Sequence, residues 1–183
     1  MVKKDLREEI EIPQEINASI DDDEIIMKKD DKELRRRLEG KVEIKMEGNK
    51  IILEANKSTK NEKKIYGTMK AHIRNMIKGL TEGFKYKLQI ANVHFPMNVS
   101  HNKETNEIII KNFLGEKQDR IVKLIEGVDV KVADETIELE SFDIEKAGQC
   151  AANIEKGAKV RNKDRRIFQD GIFIIEKPGR SFL

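Results

Sequence analysis

Apolar and polar residues trade places along this chain with two periods, one of two residues and one of three to four. Val42, Ile44 and Met46 alternate with Lys41, Glu43 and Lys45, which predicts a half-buried strand over 41–46. Similar β-rich stretches occupy 9–12, 15–20, 24–29, 33–38 and 50–55. Asp21-Asp22-Asp23 and Gly48-Asn49 supply turns between them. At Thr59-Lys60-Asn61-Glu62 the period changes. Thr and Glu three apart form a capping box, and Ile65, Met69, His72/Ile73, Met76 and Leu80 then recur at helical spacing. Ile144, Ala147, Cys150/Ala151, Ile154 and Ala158 predict a second helix. A strand is expected after each helix, over 84–90 and 172–176. Strands grouped ahead of a helix argue for α+β rather than a parallel α/β sheet.

The two halves echo one another. Glu24-Ile25-Ile26-Met27-Lys28-Lys29 resembles Glu107-Ile108-Ile109-Ile110-Lys111-Asn112, and Ile12-Pro13 resembles Phe95-Pro96. Leu38-Glu39-Gly40 pairs with Ile125-Glu126-Gly127, and Leu53-Glu54 with Leu139-Glu140. Asn75-Met76-Ile77-Lys78-Gly79 pairs with Asn153-Ile154-Glu155-Lys156-Gly157, and Gly83-Phe84 with Gly171-Ile172. The separations all fall between 78 and 88 residues and keep one order. Two copies are too few for a solenoid, so the reading is a tandem pair of small domains. Each has antiparallel strands packed on one helix. The expected division is 1–82, 83–177 with a basic loop over 156–169, and an extended tail over 178–183. The second copy carries about ten more residues between helix and closing strand than the first, at 160–169.

Composition excludes several classes. No apolar run approaches the roughly 20 residues that span a bilayer, so no membrane role is expected. The start of the chain is charged and lacks the apolar core of a signal peptide. A single cysteine, Cys150, cannot pair internally, which fits a reducing cytosol. Cys150 with scattered His72, His94 and His101 makes no zinc site, and no metal or other cofactor is expected. Tryptophan is absent and aromatics are 5%, so isoleucines must fill much of the core.

The net charge is only +2, but it is polarised. Residues 1–23 hold three basic and eight acidic side chains, a candidate interaction face. Between Lys57 and Lys78 there are seven basic residues against Glu62 alone. From Lys156 to Arg166 there are six basic residues against Asp164 alone, on the segment peculiar to the second copy. Basic loops attract phosphates, and arginine adds planar two-pronged contacts. For that cluster, nucleic-acid contact and a plain solvated face both stand. For the first helix a solvated lysine face is the simpler reading. Phe168 and Phe173 either stack near the loop or pack into the core. Arg35, Arg36 and Arg37 alternate along one strand, so at least one must tuck in or sit at an edge.

Catalytic patterns are sparse. There is no P-loop, dinucleotide-type glycine loop or His-Glu-x-x-His motif. Cys150 on an apolar helix face reads as a structural thiol. His72 and His94 have no nucleophile spaced with them. The acidic run at 21–24 reads as a hydrated turn rather than a cation site, and Asp170-Gly171 as a turn launching the last strand.

The stretch Asn162-Lys163-Asp164-Arg165-Arg166-Ile167-Phe168-Gln169-Asp170-Gly171-Ile172 resembles the C-terminal signature of the large-subunit ribosomal protein L-six family, in its archaeal and eukaryotic form. Asn75-Met76-Ile77-Lys78-Gly79, Gly83-Phe84-Lys85-Tyr86-Lys87, His94-Phe95-Pro96 and Asn112-Phe113-Leu114-Gly115-Glu116-Lys117 carry it further, from about residue 10 to residue 177. Lys156 stands where the pattern has glutamine and Phe173 where it has tyrosine. The resemblance implies a duplicated α+β fold, no catalysis and no cofactor. It also implies binding to large-subunit rRNA near the sarcin–ricin loop and stalk base, beside neighbouring ribosomal proteins and the docking region of translational GTPases, in the cytoplasm. The signature carries Lys163, Arg165, Arg166 and Lys177 as RNA contacts. Charge and position add Lys156, Lys159 and Arg161, and Arg180 follows from a tail expected to run on along RNA. A protein-interaction module, and an RNA-modifying enzyme using His94 or Cys150, are the alternatives.

Overall fold

Period-two segments become paired strands here wherever one face can be buried. The computed structural model describes residues 4–21, 24–38 and 42–182. The chain divides into two units, Met1–Glu82 and Gly83–Leu183. Each is α+β, with all strand pairs antiparallel.

The first unit contains β1 (Lys4–Glu11), β2 (Asn17–Asp21), β3 (Glu24–Lys29), β4 (Lys32–Arg37), β5 (Glu43–Glu47), β6 (Lys50–Ser58) and α1 (Lys60–Thr81). They form two three-stranded sheets, β1-β6-β5 and β2-β3-β4, and α1 packs on β6 and touches β3 and β4. β6 is central and buries Ile51, Ile52 and Leu53 in succession. The Glu62 carboxylate accepts the Thr59 amide at 2.6 Å, closing the start of α1. The helix buries Met69, Ile73, Met76 and Leu80 against the strands. Burying such side chains contributes about 1.5–3 kcal/mol each, which is why the apolar face outweighs the many lysines on the other.

Three expectations shift in this unit. Strand 41–46 is not half-buried throughout: β5 is an edge strand, paired only with β6, and its Met46 is 38% exposed. Among the three arginines it is Arg36 that tucks in, with Nη2 2.8 Å from His72 Nε2. The acidic segment is not a free face. Glu8 binds Lys70 at 2.6 Å and Arg74 at 2.9 Å, Glu9 binds Lys50 at 3.3 Å, and Glu15 binds Lys29 at 2.6 Å. Asp22, Asp23 and Lys41 lie outside the described residues.

The second unit contains β7 (Phe84–Ala91), β8 (Asn98–Asn102), β9 (Glu107–Lys111), β10 (Arg120–Lys123), β11 (Asp129–Val132), β12 (Thr136–Ser141), α2 (Ile144–Gly157), β13 (Gly171–Lys177) and β14 (Arg180–Ser181). One sheet runs β11-β12-β7-β13-β14 and the other β10-β9-β8. Asp143 caps α2, its carboxylate accepting the amides of Glu145 at 2.9 Å and Lys146 at 3.4 Å. The buried face of α2, Ala147, Cys150, Ala151 and Ile154, is made of small residues, so the helix lies close on β7, β12, β13 and β10. Ile108, Ile110, Ile137 and Leu139 complete the core.

One expectation is corrected here, that of the tail. The strand after α1 opens the second unit: β7 pairs with β12 and β13 and is the central strand of its sheet. Tertiary pairing decided this, since the Phe84, Tyr86, Leu88 and Ile90 face matches the α2 core. The chain after residue 177 does not run on as an extended tail. Pro178-Gly179 turns it back, Gly179 at φ +78° as such a turn requires, and Arg180 and Ser181 pair with Lys177 and Glu176.

Candidate nucleic-acid interface

The segment between α2 and β13 holds no regular element, yet it is tied down at several points. Arg120 on β10 donates through Nη1 to the carbonyls of Gly157 at 3.0 Å and Lys159 at 2.9 Å, holding the end of α2. Glu116 grips that guanidinium with both oxygens, at 2.7 and 2.5 Å, and the Phe113 ring lies 3.9 Å beneath it. The Glu116 carboxyl is held below its usual range, first by its Arg120 hydrogen bonds. Asn162 takes a left-handed conformation at φ +57°. Asp164 organises the next turn: its carboxylate accepts the Arg166 amide at 3.0 Å and Arg166 Nη2 at 2.9 Å, and its carbonyl accepts the amides of Ile167 and Phe168. The same Arg166 bonds lower the Asp164 pKa.

The far end is fixed by Asp170, which is 4% exposed. Its Oδ1 accepts the amides of Val93 at 2.9 Å and His94 at 2.8 Å, and Oδ2 lies 2.6 Å from His94 Nδ1. Burial alone would raise this carboxyl, but the donors from His94, Val93 and Phe95 overcome it and leave the pKa lowered. The His94 ring stands 5.0 Å from that of Phe168, centroid to centroid, and Lys163 Nζ sits 4.5 Å above Phe168. Phe168 thus packs beneath the loop rather than standing free.

On this frame the predicted cations are all exposed. Lys156, Lys159, Arg165 and Arg166 line one groove of about 600 Å³ between α2, the loop and β13. Arg161 and Lys163 belong to the same loop but not to the groove's lining. Lys177 and Arg180 form a second cluster on the β13–β14 hairpin, stacked against Phe182 at 5.4 and 4.7 Å. Among the described residues, Arg166 alone of these eight makes an ion pair, with Asp164. Glu155 on the groove wall is engaged, accepting the Ile174 amide at 3.2 Å.

Sequence reasoning missed the two anchors. Asp170 read as a turn, and Arg120 had no signal beyond a charge beside Ile121. The His94-Phe95-Pro96 stretch was the only pointer to the Asp170 partner. Neither residue that the enzymatic alternative would use stands free for it: Cys150 is buried and its thiol pushed up by burial, and His94 is engaged with a buried carboxylate.

The profile of the Ribosomal protein L6 family matches twice, over residues 12–83 and 95–171. Similar proteins include the large ribosomal subunit protein uL6 of Methanococcus vannielii, 47% identical over 96% of each chain. That of Desulfurococcus amylolyticus is 40% identical over 93% of this chain and 94% of its own. That of Methanobrevibacter smithii is 39% identical over 94% of this chain and 96% of its own. With two matched copies, a duplicated α+β architecture and a basic loop on the second copy, the chain belongs to the Ribosomal protein L6 family of structural, non-enzymatic ribosomal proteins.

Proposed function

We propose that the chain is held in the large subunit of the cytoplasmic ribosome by its second unit, which binds rRNA near the sarcin–ricin loop and stalk base. Translational GTPases and neighbouring ribosomal proteins would then lie close by. The observation that carries this is the row of exposed, mostly unpaired cations on a loop anchored at both ends by Arg120 and Asp170. Lys156, Lys159, Arg161, Lys163, Arg165 and Arg166 contact phosphates and sugars there, and Lys177 and Arg180 do so from the hairpin. Side chains cannot enter the deep major groove of A-form RNA, so recognition is of folded shape. A pre-fixed loop suits that task because ordering it costs little on binding.

The test is crosslinking of the full chain to large-subunit rRNA, with attached peptides read by mass spectrometry and protected nucleotides mapped. Peptides spanning 156–166 and protections in the sarcin–ricin region are expected, with co-sedimentation surviving a high-salt wash. Crosslinks confined to the first unit, or protections elsewhere in the rRNA, would overturn the assignment.

A further inference from the structure

Resting on that reading, we propose that the groove between α2, the loop and β13 receives a single base splayed out of the bound RNA, with the Phe173 ring as its stacking face. Phe173 is the unusual residue of β13. Its neighbours Ile172 and Ile174 turn toward the core, so strand alternation puts Phe173 on the opposite side, where it is 37% exposed and lines the groove. The end of the ring comes close to Gly171: a side-chain carbon added at that glycine would sit 3.0 Å from it. The glycine therefore leaves room that a side chain would deny to the ring. The ring end is thus backed by Gly171, and Phe173 lines the groove.

Charge selects the occupant. Lys156, Lys159 and Arg165 rim the same space without an ion pair among the described residues. The two acids of the wall are spent, Glu155 on the Ile174 amide and Asp170 on the amides of Val93 and His94. An apolar protein side chain would cover Phe173 and leave three cations unmatched. A nucleotide satisfies both halves, its base on the ring and its flanking phosphates on the rim. The volume of about 600 Å³ falls within the range of small-molecule pockets.

The test measures affinity of the full chain for a large-subunit rRNA transcript across a salt series, for the unaltered protein, Phe173→Leu, Phe173→Trp and Arg165→Glu, with thermal unfolding as the check on folding. Stacking by one base predicts that Phe173→Leu binds about five- to tenfold more weakly. Phe173→Trp should bind at least as well as the unaltered chain, and neither should change the salt slope. Arg165→Glu should lower that slope. Equal binding by Phe173→Leu and the unaltered chain would overturn the stacking role, as would a changed slope in either Phe173 variant. Absence of salt-dependent binding by the unaltered chain would instead overturn the rRNA reading and the base pocket with it.

Discussion

The two units carry similar helices on similar strands and are both rich in lysine, but they spend their cations differently. In the first, Lys70 and Arg74 on α1 close on Glu8, Lys28 and Arg35 on Glu33, Lys45 on Glu43 and Glu54, and Lys50 on Glu9 and Glu11. In the second, the densest run of cations sits on a loop that contains one acid, and the strong hydrogen bonds go to the backbone that holds the loop. Counting charges would rank α1 and the loop as near equals. Pairing separates them: among the described residues, Lys70, Arg74 and Lys78 on α1 are matched, whereas on the loop Arg166 alone is. A cation already matched releases little on meeting phosphate. Lys60, Lys63 and Lys64 differ from the loop cations in placement rather than pairing.

The widest separation should come from charge reversal. Lys163→Glu, Arg165→Glu and Arg166→Glu together are expected to weaken rRNA binding about a hundredfold or more and to reduce the salt slope. The same three changes at Lys60, Lys63 and Lys64 on α1 should cost less than about threefold. Equal losses, read by filter binding, would mean that total charge rather than placement governs.

Next is the anchor. Asp170→Ala leaves the Val93 and His94 amides without their acceptor and should lower stability by about 2–3 kcal/mol in denaturant unfolding. The folded Asp170 pKa is lowered, so its contribution is present above the unfolded value of about 4 and fades as pH falls through the folded one. Asp170→Asn should therefore flatten that part of the acid limb. An unchanged acid limb would remove Asp170 as the clamp.

The helical glycines separate the units in sign. At Gly157 an added carbon would lie 2.3 Å from Val122 Cγ2, so Gly157→Ala should destabilise by about 1–3 kcal/mol. At Gly67 on α1 nothing lies within 4 Å, so Gly67→Ala should stabilise by about 0.5–1 kcal/mol. Thermal melts that move the same way for both variants would contradict the packing described for α2.

Local chemistry was legible in the sequence. The segment 24–29 is β3 to the residue, the Thr59–Glu62 box starts α1, and the small residues at 147, 150 and 151 are the buried face of α2. The basic loop was legible too, because an addition to one copy of a repeat stands out. Long-range pairing was not. The strand after α1 gives no sign that its partners are β12 and β13, and nothing near Asp170 announces amides 76 and 77 residues earlier. Phe173 could be placed on neither face until the direction of Ile172 was fixed.

The position of β7 has a temporal meaning. It opens the second unit yet sits between β12 and β13, so both of its partners come from much later in the chain. Until β13 pairs, β7 has one bare edge, and the loop before β13 lacks its far anchor. Such distant pairing is slow to form. The basic loop therefore acquires its shape only after β13 has paired with β7. A chain broken off before residue 170 can carry every loop cation and still lack the frame that arranges them.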